Sequence, residues 1–187
     1  PNYISPHLSF KGMNFENFDD FLFPKLKNLL PDPFVFQDLE KGVKRLAEEV
    51  LHSRPIGIFG DYDVDGATSA ALIANYLEYC GCKTFIHIPD RFLEGYGPNE
   101  RALKGLHEKG AELILTVDCG IYSFEPLKAM SSVNLDLIVI DHHIPDTILP
   151  PAYAIINPKR IDTQKGFEDL CAAGVSFIFL IGLNREL

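Results

Sequence analysis

Two short segments hold most of the chain's chemistry. In the first, Asp61, Asp63 and Asp65 alternate with Tyr62 and Val64 between Gly60 and Gly66. The second is Asp141-His142-His143. Three carboxylates so closely spaced repel one another, and a folded chain tolerates them where a cation offsets the repulsion. The second segment adds a further set of oxygen and imidazole nitrogen donors for a metal. The chemistry such a centre serves is hydrolysis of phosphate esters, in which metal lowers the pKa of the attacking water.

Further groups join these two. Thr116-Val117-Asp118-Cys119-Gly120 places one carboxylate before a glycine. Such an Asp is either a helix N-cap or a ligand bridging two ions about 3.5–4 Å apart. His142 and His143, if extended, point in opposite directions, so that one can ligate metal while the other faces substrate or a water. In Arg91-Phe92-Leu93-Glu94-Gly95-Tyr96-Gly97, Arg91 can grip phosphate in a fork, and Gly95 and Gly97 let backbone amides approach an anion. Asn157-Pro158-Lys159-Arg160 is a basic cluster fit for phosphate, Asn157 and Arg160 being its contacts; a solvated turn explains it equally well.

Competing readings are weaker. Asp61-x-Asp63-x-Asp65-Gly66 begins like a calcium-binding EF-hand loop, but its twelfth position is Leu72 where a bidentate Glu is required. A solvated acidic turn leaves Asp118 and Asp141-His142-His143 unexplained. No GxGxxG or GxxxxGK[ST] occurs, so no nucleotide cofactor is expected.

The elements that position these groups alternate. Apolar runs at 56–59, 83–88, 112–117, 135–140 and 152–156 read as strands. Helical patterns at 67–80, 98–109 (Pro98 in first position), 123–131 and 171–183 lie between and after them. This is an α/β fold: a mostly parallel sheet flanked by helices, whose ligands bind beyond the carboxyl ends of the strands. The acidic residues fall at four of those ends. Residues 1–54 read as an arm, with a short helix within 17–30 and an amphipathic helix over 36–52; residues 55–187 form the main domain.

Composition sets broad limits. The 187 residues are 47% hydrophobic and 23% charged, as in ordinary globular chains. The net charge of −9, from 17 Lys+Arg and 26 Asp+Glu, disfavours bulk attraction to nucleic acid or anionic membrane but permits a local basic groove. Four cysteines without CxxC spacing are expected as reduced thiols of a cytoplasmic protein. No segment reads as a membrane span. The chain opens on Pro1 and is expected to be a piece of a longer one.

Together, GDYDVDGATSAA at 60–71, DRFLEGYG at 90–97, TVDCGI at 116–121, IDHHIP at 140–145 and NPKR at 157–160 resemble the DHH phosphoesterase superfamily, in particular its single-strand-specific exonucleases. The resemblance implies two manganese or magnesium ions and 5′→3′ degradation of single-stranded DNA in repair and recombination. It also implies Asp63, Asp65, Asp118 and His142 as ligands, Asp61 and Asp141 as supporting groups, and His143 acting on the scissile phosphate. Arg91 and Gly95-Tyr96-Gly97 would hold phosphate. In this superfamily a further ligand lies beyond the helix at 171–183, so an incomplete metal site and further domains are expected. Oligonucleotide, cyclic dinucleotide or pyrophosphate hydrolysis, and metal-dependent binding without turnover, remain open alternatives.

Overall fold

The structure, a computed structural model, describes residues 22–187. By internal packing the chain divides into Pro1–Asp32 and Pro33–Leu187. In the first unit the described residues form one short helix, α1 (Leu26–Leu29), which buries no side chain. Of the helix expected within 17–30, residues 17–21 lie outside the described residues, and Leu26–Leu29 is helical.

The second unit is built on five short strands. They are β1 (Ile56–Gly60), β2 (Thr84–His87), β3 (Leu113–Val117), β4 (Asp136–Ile140) and β5 (Ala154–Ile156). All pair in parallel, in the order β2-β1-β3-β4-β5. β1 and β3 are buried throughout, as expected of central parallel strands rich in branched residues. Their register sets Gly60 beside Val117, and β3–β4 pairing sets Val117 beside Ile140. The residues that follow, Asp61, Asp118 and Asp141, therefore leave the sheet side by side. The chain goes to β2 on one side of β1 and to β3 on the other, a switch point where connections diverge and leave a crevice.

Helices cover both faces. Alternation of side chains sends Ile56, Ile58, Leu113, Leu115, Val117, Ile138 and Ile140 to one face. There they meet α2 (Leu39–Leu51), α3 (Val64–Tyr79) and α6 (Ala172–Glu186). Phe59, Ile114, Leu137 and Val139 turn to the other face, against α4 (Glu100–Glu108) and α5 (Phe124–Met130).

Three elements differ from the sequence expectation. The amphipathic helix grouped with the arm packs Leu39, Val43, Leu46 and Val50 into the main core, because its apolar stripe faces α6 and β5. Helix α3 begins at Val64 rather than at 67: the Asp63 side chain accepts from the Gly66 N–H and caps it. Pro98 is not the first residue of α4; Asn99 intervenes as the cap and accepts from the Ala102 N–H.

Two ion clusters tie the periphery. Glu49 in α2 is fully buried beneath Arg45, which also reaches Asp136 at 2.6 Å, while Arg54 Nε lies 2.9 Å from Glu49. Removing one partner of a buried pair leaves uncompensated charge, so Glu49→Ala is expected to destabilise the fold by about 3–5 kcal/mol in urea denaturation. At the sheet edge, Asp38 Oδ2 accepts from the Ile155 N–H (3.2 Å), and Arg160 Nη1 donates to both Asp38 Oδ2 (2.8 Å) and the Ile155 carbonyl (2.6 Å).

Candidate metal centre

The residues singled out in the sequence converge on the carboxyl edge of the central strands. Asp61, Asp63 and Asp118 each offer an oxygen, and these oxygens lie within 4.8 Å of one another. Asp118, His142 and His143 form a second set at the same spacing. Asp118 belongs to both, as its expected bridging role requires. It is 2% exposed and has φ +60°, a left-handed conformation uncommon outside glycine and typical of functional sites.

Acidic charge is crowded at this edge. Asp118 is pushed up to about 8, first by burial and then by the charge of Asp65 and the hydrogen bond and charge of Asp63. Burial also raises Asp61, against a hydrogen bond from the Tyr62 N–H. Asp63 is lowered, mainly by the Gly66 N–H at the start of α3. Asp61 Oδ1 and Asp118 Oδ1 are buried without a hydrogen-bond partner.

His142 sharpens the point. Its Nδ1 lies 3.1 Å from the Leu170 carbonyl. A carbonyl only accepts, so Nδ1 carries a proton, and Nε2 faces Asp118 Oδ1 at 3.3 Å. Asp118 Oδ1 is buried without a hydrogen-bond partner, and a cation between it and Nε2 would satisfy both atoms. The donor set therefore fits a divalent ion, which these carboxylate oxygens and the imidazole would hold.

The two histidines do not diverge as an extended backbone would require. β4 ends at Ile140, and the Asp141 carboxylate accepts from the amides of both His142 (2.7 Å) and His143 (3.2 Å). This tight turn brings the rings to one side, with centroids 4.8 Å apart. Asp141 also accepts from His143 Nδ1 at 2.7 Å and from the Ile121 N–H at 3.1 Å. Burial opposes ionisation of Asp141, but the His143 and Ile121 bonds outweigh it and hold the carboxyl below its usual range. The same contact raises His143.

The remaining expectations divide. Asp65 lies in neither set: both its oxygens accept from amides of α6, Ala172 at 2.7 Å and Ala173 at 2.8 Å. Its Oδ2 is nonetheless 3.6 Å from His142 Nε2. Asp61, expected as a supporting group, offers an oxygen directly. The 90–97 loop is ordered by its own acids. Asp90 accepts from the Phe92 and Leu93 amides, and Glu94 accepts from the Asp90 N–H and Asn99 and contacts His87 at 2.9 Å. Gly95 and Gly97 have φ +81° and +79°. Arg91 lies over the Tyr62 ring, and the Tyr96 hydroxyl donates to the Asp118 carbonyl at 3.3 Å beside the His143 ring.

Asn157 and Arg160 do not face a phosphate. Asn157 is fully buried; its amide donates to the His143 carbonyl at 2.9 Å and so braces the histidine turn. Arg160 is 5% exposed and spends its donors on Asp38, Ile155 and Asp162. Leu170, Ala172 and Ala173 went unnoticed in the sequence because only their backbone groups take part.

A parallel sheet whose strand ends gather aspartates and a histidine pair defines a phosphoesterase-type metal centre. The profile of the DHH family, N-terminal domain, matches residues 55–186, and the chain belongs to this family. It is 38% identical to the single-stranded-DNA-specific exonuclease RecJ of Bacillus subtilis (strain 168) over 156 residues, 83% of this chain and 20% of that protein. Against the RecJ of Escherichia coli (strain K12) identity is 38% over 150 residues, 80% of this chain and 26% of that protein. A crystal structure of exonuclease RecJ bound to manganese superposes with a TM-score of 0.74 at 32% identity, covering 84% of this chain and 39% of the other. The chain thus spans about a fifth to a quarter of the curated relatives it matches.

All four cysteines are free, in keeping with the expected thiols. Among the described residues no helix is long and apolar enough to cross a membrane.

Proposed function

We propose that this domain carries the metal centre of a single-strand-specific 5′→3′ DNA exonuclease, a cytoplasmic enzyme of DNA repair and recombination that works with further domains and with two manganese or magnesium ions. The carrying observation is the buried Asp118 Oδ1, without a hydrogen-bond partner and 3.3 Å from His142 Nε2, beside the orphaned oxygen of Asp61. Similarity to the RecJ exonucleases supports the substrate and the reaction.

Asp61, Asp63, Asp118 and His142 would hold the ions, with Asp65 within reach. The ions supply Lewis acidity, lowering the pKa of water toward neutrality and offsetting phosphate charge. The chain's own groups do the rest. His143, whose proton affinity is raised by its bond to Asp141, can hold a proton for the phosphoryl or leaving oxygen. Arg91 sits on the exposed loop beside the crevice and can fork onto a phosphate. Buried Asp141 and Asn157 keep His143 in place.

In the protein that carries this domain, Asp63→Ala is expected to cut Mn2+-dependent release of mononucleotides from long single-stranded DNA by at least about 100-fold. Near-normal release would refute the ligand set. Faster cleavage of dinucleotides or pyrophosphate than of long DNA by the unaltered protein would replace the substrate.

A further inference from the structure

The last helix of the chain is bonded to the metal centre at three points. Asp65 Oδ2 accepts from the Ala172 N–H at 2.7 Å, and Asp65 Oδ1 accepts from the Ala173 N–H at 2.8 Å. The Leu170 carbonyl accepts from His142 Nδ1 at 3.1 Å. The segment 170–173 thus grips two side chains, 77 positions apart in sequence, and Asp65 Oδ2 lies 3.6 Å from His142 Nε2 at the crevice. Resting on the metal-centre reading above, we infer that residues 170–173 are a positioning element: α6 orients His142 and Asp65 for the ion, and ion binding in turn locks α6 onto the sheet.

Each bond has a consequence for ligation. The Leu170 carbonyl fixes the proton of neutral His142 on Nδ1 and leaves Nε2 as the donor atom, an outer-shell arrangement typical of ligating histidines. The two α6 amides lie at a helix N-terminus, where backbone dipoles favour a carboxylate. They hold the Asp65 side chain in one rotamer although Asp118 repels it. An ion placed among these carboxylates relieves that repulsion and strengthens the tether. Because α6 is apolar along most of its length and packs on α2 and α3, tightening its first turn is felt through the whole helix. Linkage is reciprocal, so whatever loosens the first turn of α6 weakens ion binding by the same factor.

Ala172→Pro breaks the tether at its first amide. Ala172 is the first helical residue, where proline is tolerated, and Cys171 (φ −74°, ψ 166°) already has the backbone required before proline. The substitution deletes the N–H given to Asp65 Oδ2 and sets the proline ring against that oxygen, so a folded variant must turn Asp65 away. Titrating Mn2+ by calorimetry should show affinity lowered about 10-fold or more in a folded variant, as for loss of an outer-shell partner. An unchanged affinity overturns the inference. Hydrogen exchange on the unaltered chain tests it without any substitution: Mn2+ should slow exchange of the α6 amides well beyond residues 172–173. If Mn2+ binds and α6 exchange is unmoved, this inference fails while the metal centre stands. If Mn2+ does not bind at all, the metal centre and the inference fail together.

Discussion

Asp118→Asn should raise the melting temperature of the metal-free protein and abolish its response to Mn2+. The wild-type carboxyl is almost fully buried among other acids and titrates at about 8, against an ordinary value of 3.8. The folded chain therefore holds a proton that the unfolded chain gives up. Stability from this group is complete below about pH 4, falls as the pH rises, and is lost by about pH 8, where the folded carboxyl ionises too. Each tenfold change in proton affinity corresponds to ~1.4 kcal/mol, so even half of this shift costs roughly 3 kcal/mol under alkaline conditions. Asparagine keeps the shape and removes the charge. At pH 9 the variant should melt roughly 5–10 °C above the metal-free wild type, a gap that narrows toward pH 5. Mn2+ should raise the wild-type melting temperature and leave the variant unmoved. Equal melting curves at pH 9 would mean that Asp118 is not under the strain described.

The second large effect is at Gly66. A Cβ there would lie 2.6 Å from the Asp61 carbonyl oxygen and 2.7 Å from its Cα and Cβ. These are mostly backbone atoms, and they cannot swing aside. Gly66→Ala should therefore push α3 away from the end of β1, at a cost of about 3 kcal/mol or more, and separate Asp61 from Asp63. Gly105, inside α4 with nothing within 4 Å of its would-be Cβ, supplies the contrast. Gly105→Ala should stabilise by roughly 0.5–1 kcal/mol through helix propensity alone. Urea denaturation and Mn2+ calorimetry on the pair check both signs. A well-folded, metal-binding Gly66→Ala would show that the strand–helix junction is more yielding than its geometry.

These expectations also measure how much of the molecule was legible in its sequence. The strands were readable because apolar runs of four to six residues bounded by polar ones have few alternatives in an alternating α/β pattern. The convergence of Asp61, Asp118 and Asp141 followed from topology, since parallel strands deliver their carboxyl ends to one edge. What was not legible depended on backbone groups or on side chains far apart in the chain. Asp65 looked like Asp63 until α6 supplied the amides that claim it. Arg160 looked like a surface cation until Asp38, more than a hundred residues earlier, was seen to hold it. The two histidines diverge only if β4 continues; Asp141 ends the strand by bonding both following amides, a local competition that residue alternation does not reveal.

The Asp38–Arg160 pair has a consequence beyond its own energy. β5 is three residues long and, among the described residues, has a neighbour on one side only. Its outward-facing main-chain groups belong to Ile155, and the aspartate takes the N–H while the arginine takes the carbonyl. A sixth strand, whether from this protein or a stranger, would find its docking groups already occupied. The sheet is thus terminated by charge rather than by length. Solubility at high concentration should depend on this ion pair more than its contribution to folding would suggest.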